Sequence, residues 1–160
     1  MSARGARRPG ADETRVHLRL WLRMLKVSRH IEATLRDRLR TEFQSTLPRF
    51  DVMAALNRFP EGLRMSELSG VLRVSNGNVT GIVDRLVNDG FVQRRAVPGD
   101  RRAQIVALTK QGRAEFERHA AAHHAWVDEL LAGVPADDAE HIIACLEDVG
   151  WHPQDHGSSA

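Results

Sequence analysis

Apolar residues recur at three- and four-residue steps between Glu13 and Phe43, through Leu18, Trp21, Leu22, Leu25, Ile31, Leu35 and Leu39. That period predicts one long helix, ~45 Å if unbroken. A small domain cannot cover so long a stripe, so a second copy of the chain is the expected cover. A second helix opens at Leu47-Pro48, where proline suits a first turn, turns Phe50, Met53, Ala54 and Leu56 inward, and ends at Pro60-Glu61-Gly62. Leu63-Arg64-Met65 fits a brief strand. Ser66 is the expected N-cap of a short helix to Leu72, and Val74-Ser75 the turn into a helix over Asn76–Asn88 that stops at Gly90. Residues 91–95 and 104–108 predict two strands joined through Pro98-Gly99-Asp100. Thr109 caps a helix over residues 110–131, with Phe116, His119, Ala120, His123, Val127 and Leu130 on its stripe. Gly133 and Pro135 break it, and a last helix over residues 136–149 carries Ile142, Ile143, Leu146 and Val149 on one side.

This order predicts a mainly α chain with a small β-wing, an α+β winged helix-turn-helix with long N- and C-terminal dimerisation helices. Residues 1–13 and 151–160 read as tails around one unit at 14–150. Within that unit, 66–108 hold the helix-turn-helix and wing, and 14–46 and 109–150 the dimerisation helices.

Composition narrows the class. The chain has 160 residues and a net charge of +2, which does not by itself point to nucleic acid. No apolar run approaches the ~20 residues that cross a bilayer, and the basic N-terminus has no apolar stretch behind it, so neither membrane nor secretion is expected. The single Cys145 excludes an internal disulfide framework and suits a reducing cytoplasm. No nucleophile elbow, P-loop or dinucleotide fingerprint occurs, so neither catalysis nor a cofactor is expected.

The position of the charges changes the picture. A helix-turn-helix lays its second helix in the major groove of DNA, and the residues that open that helix should be small or polar. Here they are Ser75, Asn76, Gly77, Asn78 and Thr80, with Val79, Ile82, Val83 and Leu86 on the opposite side and Arg85 in reach of phosphate or base. Ser66 opens the first helix of the pair. Arg94, Arg95, Arg101 and Arg102 cluster on the following hairpin, whose tip suits a narrow minor groove. Asp100 beside them reads as a partner that fixes an arginine rotamer.

The run MSELSGVLRVSNGNVTGIVDRLVNDGFVQRRAVPGDRRAQIVALTKQGR resembles the multiple-antibiotic-resistance regulator (MarR) family. The matching features are Val74-Ser75, Val79-Thr80, Asp84-Arg85-Leu86, Gly90-Phe91-Val92, Asp100-Arg101-Arg102 and Leu108-Thr109 with Gly112, and the resemblance extends over about residues 16–150. It implies a cytoplasmic homodimer that represses transcription from a pseudo-palindromic operator on double-stranded DNA and is released by a small molecule. It implies major-groove contacts from Ser75, Asn76, Asn78, Thr80 and Arg85, a minor-groove contact from Arg102, and a variable position at Arg101. The effector expected is an aromatic acid or aromatic acyl-CoA thioester, lined by Trp21, His30, Arg49, Met53 and His123.

Two other readings stand beside it. His119 and His123, four apart on one helix with His124 adjacent, have the spacing of a zinc pair, and Glu32 and Asp51 are candidate further ligands. The commoner case is a histidine packed in a core or pocket. A winged module that binds protein is the other alternative. Cys145 is expected as a small core residue. Trp21, Trp126 and Trp151 are expected as fillers of the dimer interface, and Arg4, Arg7 and Arg8 as part of a solvated tail.

Overall fold

The computed structural model describes residues 10–97 and 100–149, without the side chains at 11, 76 and 100–103. The expectations for residues 1–9 and 151–160, Trp151 among them, and for the Pro98-Gly99 turn lie outside the described residues. So do those for the side chains of Asn76, Asp100, Arg101 and Arg102. Residues 11–13, expected in the N-terminal tail, are instead the first residues of a helix. In chain order the elements are α1 (Ala11–Phe43), α2 (Leu47–Arg58), β1 (Leu63–Arg64), α3 (Met65–Leu72), α4 (Asn76–Asn88), β2 (Val92–Val97), β3 (Asp100–Leu108), α5 (Lys110–Leu131) and α6 (Ala136–Glu147). The strands form one antiparallel sheet in the order β1-β3-β2.

Local chemistry sets most of the boundaries. Thr46 precedes α2, and its side chain accepts the Arg49 N–H, with Pro48 in the first turn. At the end of α4 the chain turns left-handed at Gly90 (φ 78°). The Phe91 N–H then reaches the Leu86 carbonyl and the Gly90 N–H the Val87 carbonyl, which closes off the helix's free carbonyls. Thr109 accepts the Gly112 N–H at 2.9 Å and opens α5. One cap differs from expectation. The helix α3 begins two residues earlier, with Arg64 as its N-cap, and Glu67 reaches back to accept the Arg64 N–H at 2.7 Å. Ser66 is therefore an exposed residue of the first turn, not the cap.

Two apolar clusters carry the packing. The first joins α2, α3, α4 and the sheet through Met53, Leu56, Leu68, Val79, Val83, Leu86 and Val106. The second joins α1, α2 and α5 through Leu35, Leu39, Phe50 and Trp126. Phe116 packs against both, so α5 bridges them. On the surface, Arg38 of α1 forms a two-pronged pair with Glu129 of α5 at 2.6 and 2.9 Å, which fixes the register of those helices.

The two ends of the chain pack differently from the middle. Residues 12–24 of α1 are all exposed, Trp21 at 55%, together with Val16, Leu18, Leu20 and Leu22. On α6, Ile142, Ile143, Leu146 and the following Val149 are exposed as well. Cys145 is also exposed, with its Sγ 3.8 Å from His141 Nε2, and so fills no core position within the chain. Trp126 is 6% exposed inside the second cluster, where it fills the chain's own interior.

Candidate nucleic-acid interface

The helix α4 is anchored by a strict apolar stripe. Val79, Val83 and Leu86 are fully buried against α2, α3 and the sheet. The spacing i, i+4, i+7 puts them on one side, with Ile82 and Val87 partly buried at its edges, so the rest of α4 faces outward. Ser75, Gly77, Asn78, Thr80, Gly81 and Arg85 are exposed. The Ser75 side chain makes no cap hydrogen bond to the first turn, and a helix start of this kind suits an anion. The sequence-predicted contacts Ser75, Gly77, Asn78, Thr80 and Arg85 thus share one exposed surface. The backbone of Asn76 belongs to the same turn.

Two ion pairs hold this helix. Arg94 on β2 reaches Asp84 on α4 at 2.5 Å, tying the wing to the helix. Arg49 at the start of α2 reaches Asp89, just past α4, also at 2.5 Å. Both pairs span elements, and neither leaves a pattern in the sequence. Arg94 is therefore committed to Asp84, while Arg95 stays exposed on the same strand.

The wing carries an irregularity at its tip. Ala96 stands opposite Gln104, but Val97 stands opposite Asp100, so β3 has three extra residues there. Those residues include Arg101 and Arg102. Such an irregularity strengthens the local twist of the strand pair.

A second concavity lies between α2 and α5. It holds about 580 Å³ and is lined by Phe50 and Ala54 of α2 and by Phe116, His123, His124 and Asp128, among others, of α5. His123 stacks on Phe50 with ring centroids 4.7 Å apart. Of the five expected effector residues, the chain brings only His123 to this groove. Met53 is buried in the first cluster, Arg49 is held by Asp89, and Trp21 and His30 are exposed on α1. Phe50 and Phe116 were read from the sequence as inner-face residues, and only the packing of α2 on α5 shows that they also line a groove.

The zinc spacing has another use here. His119 is 2% exposed, packs against Phe43 at 4.4 Å, and has Nε2 at 2.9 Å from Glu115. His123 faces a different ring. Among the described residues no group of three or more His, Cys, Asp or Glu side chains is placed to hold a metal ion. Burial pushes the His119 pKa below 6.5, against the pull of Glu115. Burial and the neighbouring His124 lower His123 too. The folded chain therefore binds fewer protons than the unfolded chain just below that pH. Stability is complete above the unfolded value and is lost as the pH falls through it toward the folded value. Tm is expected to fall between about pH 7.5 and about pH 5.5. His119→Phe, which keeps a ring against Phe43, should flatten that slope and leave the share due to His123. An unchanged slope in the variant would rule His119 out.

A family model described as the MarR family matches residues 45–103. The chain is 32% identical over 125 residues to the multiple antibiotic resistance protein MarR of Escherichia coli (strain K12), covering 75% of this chain and 86% of that protein. Among solved structures it is similar to a MarR family transcriptional regulator from Silicibacter pomeroyi, with a TM-score of 0.72 and 35% identity, covering 88% of this chain and 96% of that one. It is also similar to a MarR mutant from E. coli complexed with operator DNA, with a TM-score of 0.71 and 26% identity, covering 89% of this chain and 100% of that one.

Proposed function

Since the chain belongs to the MarR family of DNA-binding transcriptional regulators, we propose that it is a cytoplasmic homodimeric repressor, released from a pseudo-palindromic operator by a small aromatic ligand. The observation that carries the DNA contact is the face of α4. Polar and small residues from Ser75 to Arg85 are exposed there, opposite three fully buried apolar positions. Major-groove contacts fall to Ser75, Asn76, Asn78, Thr80 and Arg85, and a minor-groove contact to Arg102. Two exposed apolar faces support a dimer, one on the first half of α1 and one on α6. Burying them against a second copy removes from water surface that the chain alone leaves wet. The aromatic groove between α2 and α5 supports a planar ligand, because it joins the cluster beneath α4 to the cluster beneath α1.

The test is binding of a labelled duplex from the chain's own promoter, with random duplex as competitor. Two half-sites with centres ~34 Å apart are expected, one per recognition helix. Affinity should fall steeply with salt, as counterions are released from phosphate. Arg102→Ala is expected to weaken specific binding about tenfold or more. No preference for the promoter over random duplex at moderate salt would overturn the proposal.

A further inference from the structure

Two glycines on α4 have no explanation inside the chain. Gly77 and Gly81 are four residues apart on one side of the helix, and both are exposed. A Cβ built on either would meet nothing within 4 Å, and neither has a positive φ. Gly10, Gly70 and Gly133 also stand in open space, whereas the fold requires glycine at Gly62, Gly90 and Gly112. Gly62 (φ +94°) would bring a Cβ within 2.7 Å of the Val106 carbonyl oxygen. Gly81 sits in a helix interior, where glycine is the worst residue after proline. Folding alone gives no reason to keep it.

Their position supplies one. At 3.6 residues per turn, Gly77 and Gly81 lie about 160° to either side of the buried Val79, and so form the ridge of α4 farthest from the core. Asn78 and Arg85 flank that ridge on one side and Thr80 and Asp84 on the other. Asp84, the acid on this face, is neutralised by Arg94, so the surface is suited to an anion. The same fold is found in a structure complexed with operator DNA, at a TM-score of 0.71.

We propose that Gly77 and Gly81 set how deeply the recognition helix seats: their missing side chains let the α4 backbone approach the floor of the major groove, bringing the flanking Asn78, Thr80 and Arg85 within reach of base edges. This inference rests on the DNA-binding reading above. Adding a methyl group at the ridge holds the helix off the bases while leaving phosphate contacts largely intact. Specific affinity should fall more than non-specific affinity.

The experiment pairs two measurements on Gly77→Ala and Gly81→Ala in the full chain. The probe is a duplex enriched from a randomised pool by the wild-type protein, beside an unselected duplex. Gly81→Ala is expected to raise Tm by about 2–4 °C, and Gly77→Ala, in the first turn, by less. Both should bind the enriched duplex at least tenfold more weakly and the unselected duplex almost unchanged. Gly133→Ala, also in open space but at the end of α5, should bind as wild type does. Variants that melt higher and bind the enriched duplex like wild type overturn the inference, and so do variants that melt lower. If the wild-type protein enriches no sequence from the pool, the DNA-binding reading fails first and takes this inference with it.

Discussion

Replacing Gly112 with alanine is expected to cost the fold about 3 kcal/mol or more, beyond the usual range for overpacking. A Cβ at this position would lie 1.8 Å from the Phe91 carbonyl oxygen and 2.7 Å from its carbon. Those are backbone atoms, so no rotamer change relieves the clash. Nor is the Phe91 carbonyl free to retreat, because it accepts the Thr109 N–H at 3.0 Å. The Thr109 hydroxyl donates to the Gly90 carbonyl at 2.7 Å and accepts the Gly112 N–H. Gly90 in turn closes α4. The end of the recognition helix, the start of the wing and the start of α5 are thus bound at one junction, with room there only for a hydrogen. Urea or thermal unfolding checks this against Gly133→Ala, which meets nothing within 4 Å and should change stability by under about 0.5 kcal/mol. A cost below about 1 kcal/mol for Gly112→Ala would mean that α5 can slide away from the wing.

That junction was legible in the sequence in part, and the division is physical. Gly90 as a helix stop and Thr109 as a cap are local events, decided by residues within a few positions, and both could be read directly. The apolar stripe of α4 was equally plain, since Val79, Val83 and Leu86 repeat at helical spacing whatever surrounds them. The misplaced α3 cap shows the limit of this reasoning. Ser66 has the better side chain for capping, but Glu67 reaching back to the Arg64 N–H fixes the start two residues earlier. Contacts between distant elements leave no such trace. Arg49 and Asp89 are 40 positions apart, and nothing near either marks it as half of a pair. Of the expected effector residues the chain by itself brings only His123 to the groove, because the groove is made where two aromatic residues of different helices, Phe50 and Phe116, pack at 5.6 Å.

Trp126 is where this limit has the largest energetic consequence. As a tryptophan on a long helix it reads as a filler between two copies, yet the chain buries it against Leu35, Leu39 and Phe50. Phe43 packs at 5.8 Å from it, and the Arg38 guanidinium stands 5.9 Å from its ring while paired with Glu129. Trp126→Ala is expected to cost about 3–5 kcal/mol, the range for removing a large aromatic from a core that cannot collapse around the gap. Most of the gap would remain, because α1 and α5 are held apart at this level by the other rings. The consequence for function follows from the packing. The second cluster is what attaches α1, with its exposed apolar first half, to the rest of the chain. Loosening it should weaken the coupling between the dimer contacts and the helix that meets DNA. Equilibrium unfolding at two protein concentrations gives the cost. Association of the folded variant, followed by sedimentation, separates an internal role from an interfacial one. A stability loss with the dimer constant little changed is the expected pair of results. A lost dimer with the stability of each copy intact would instead place the ring between the two chains.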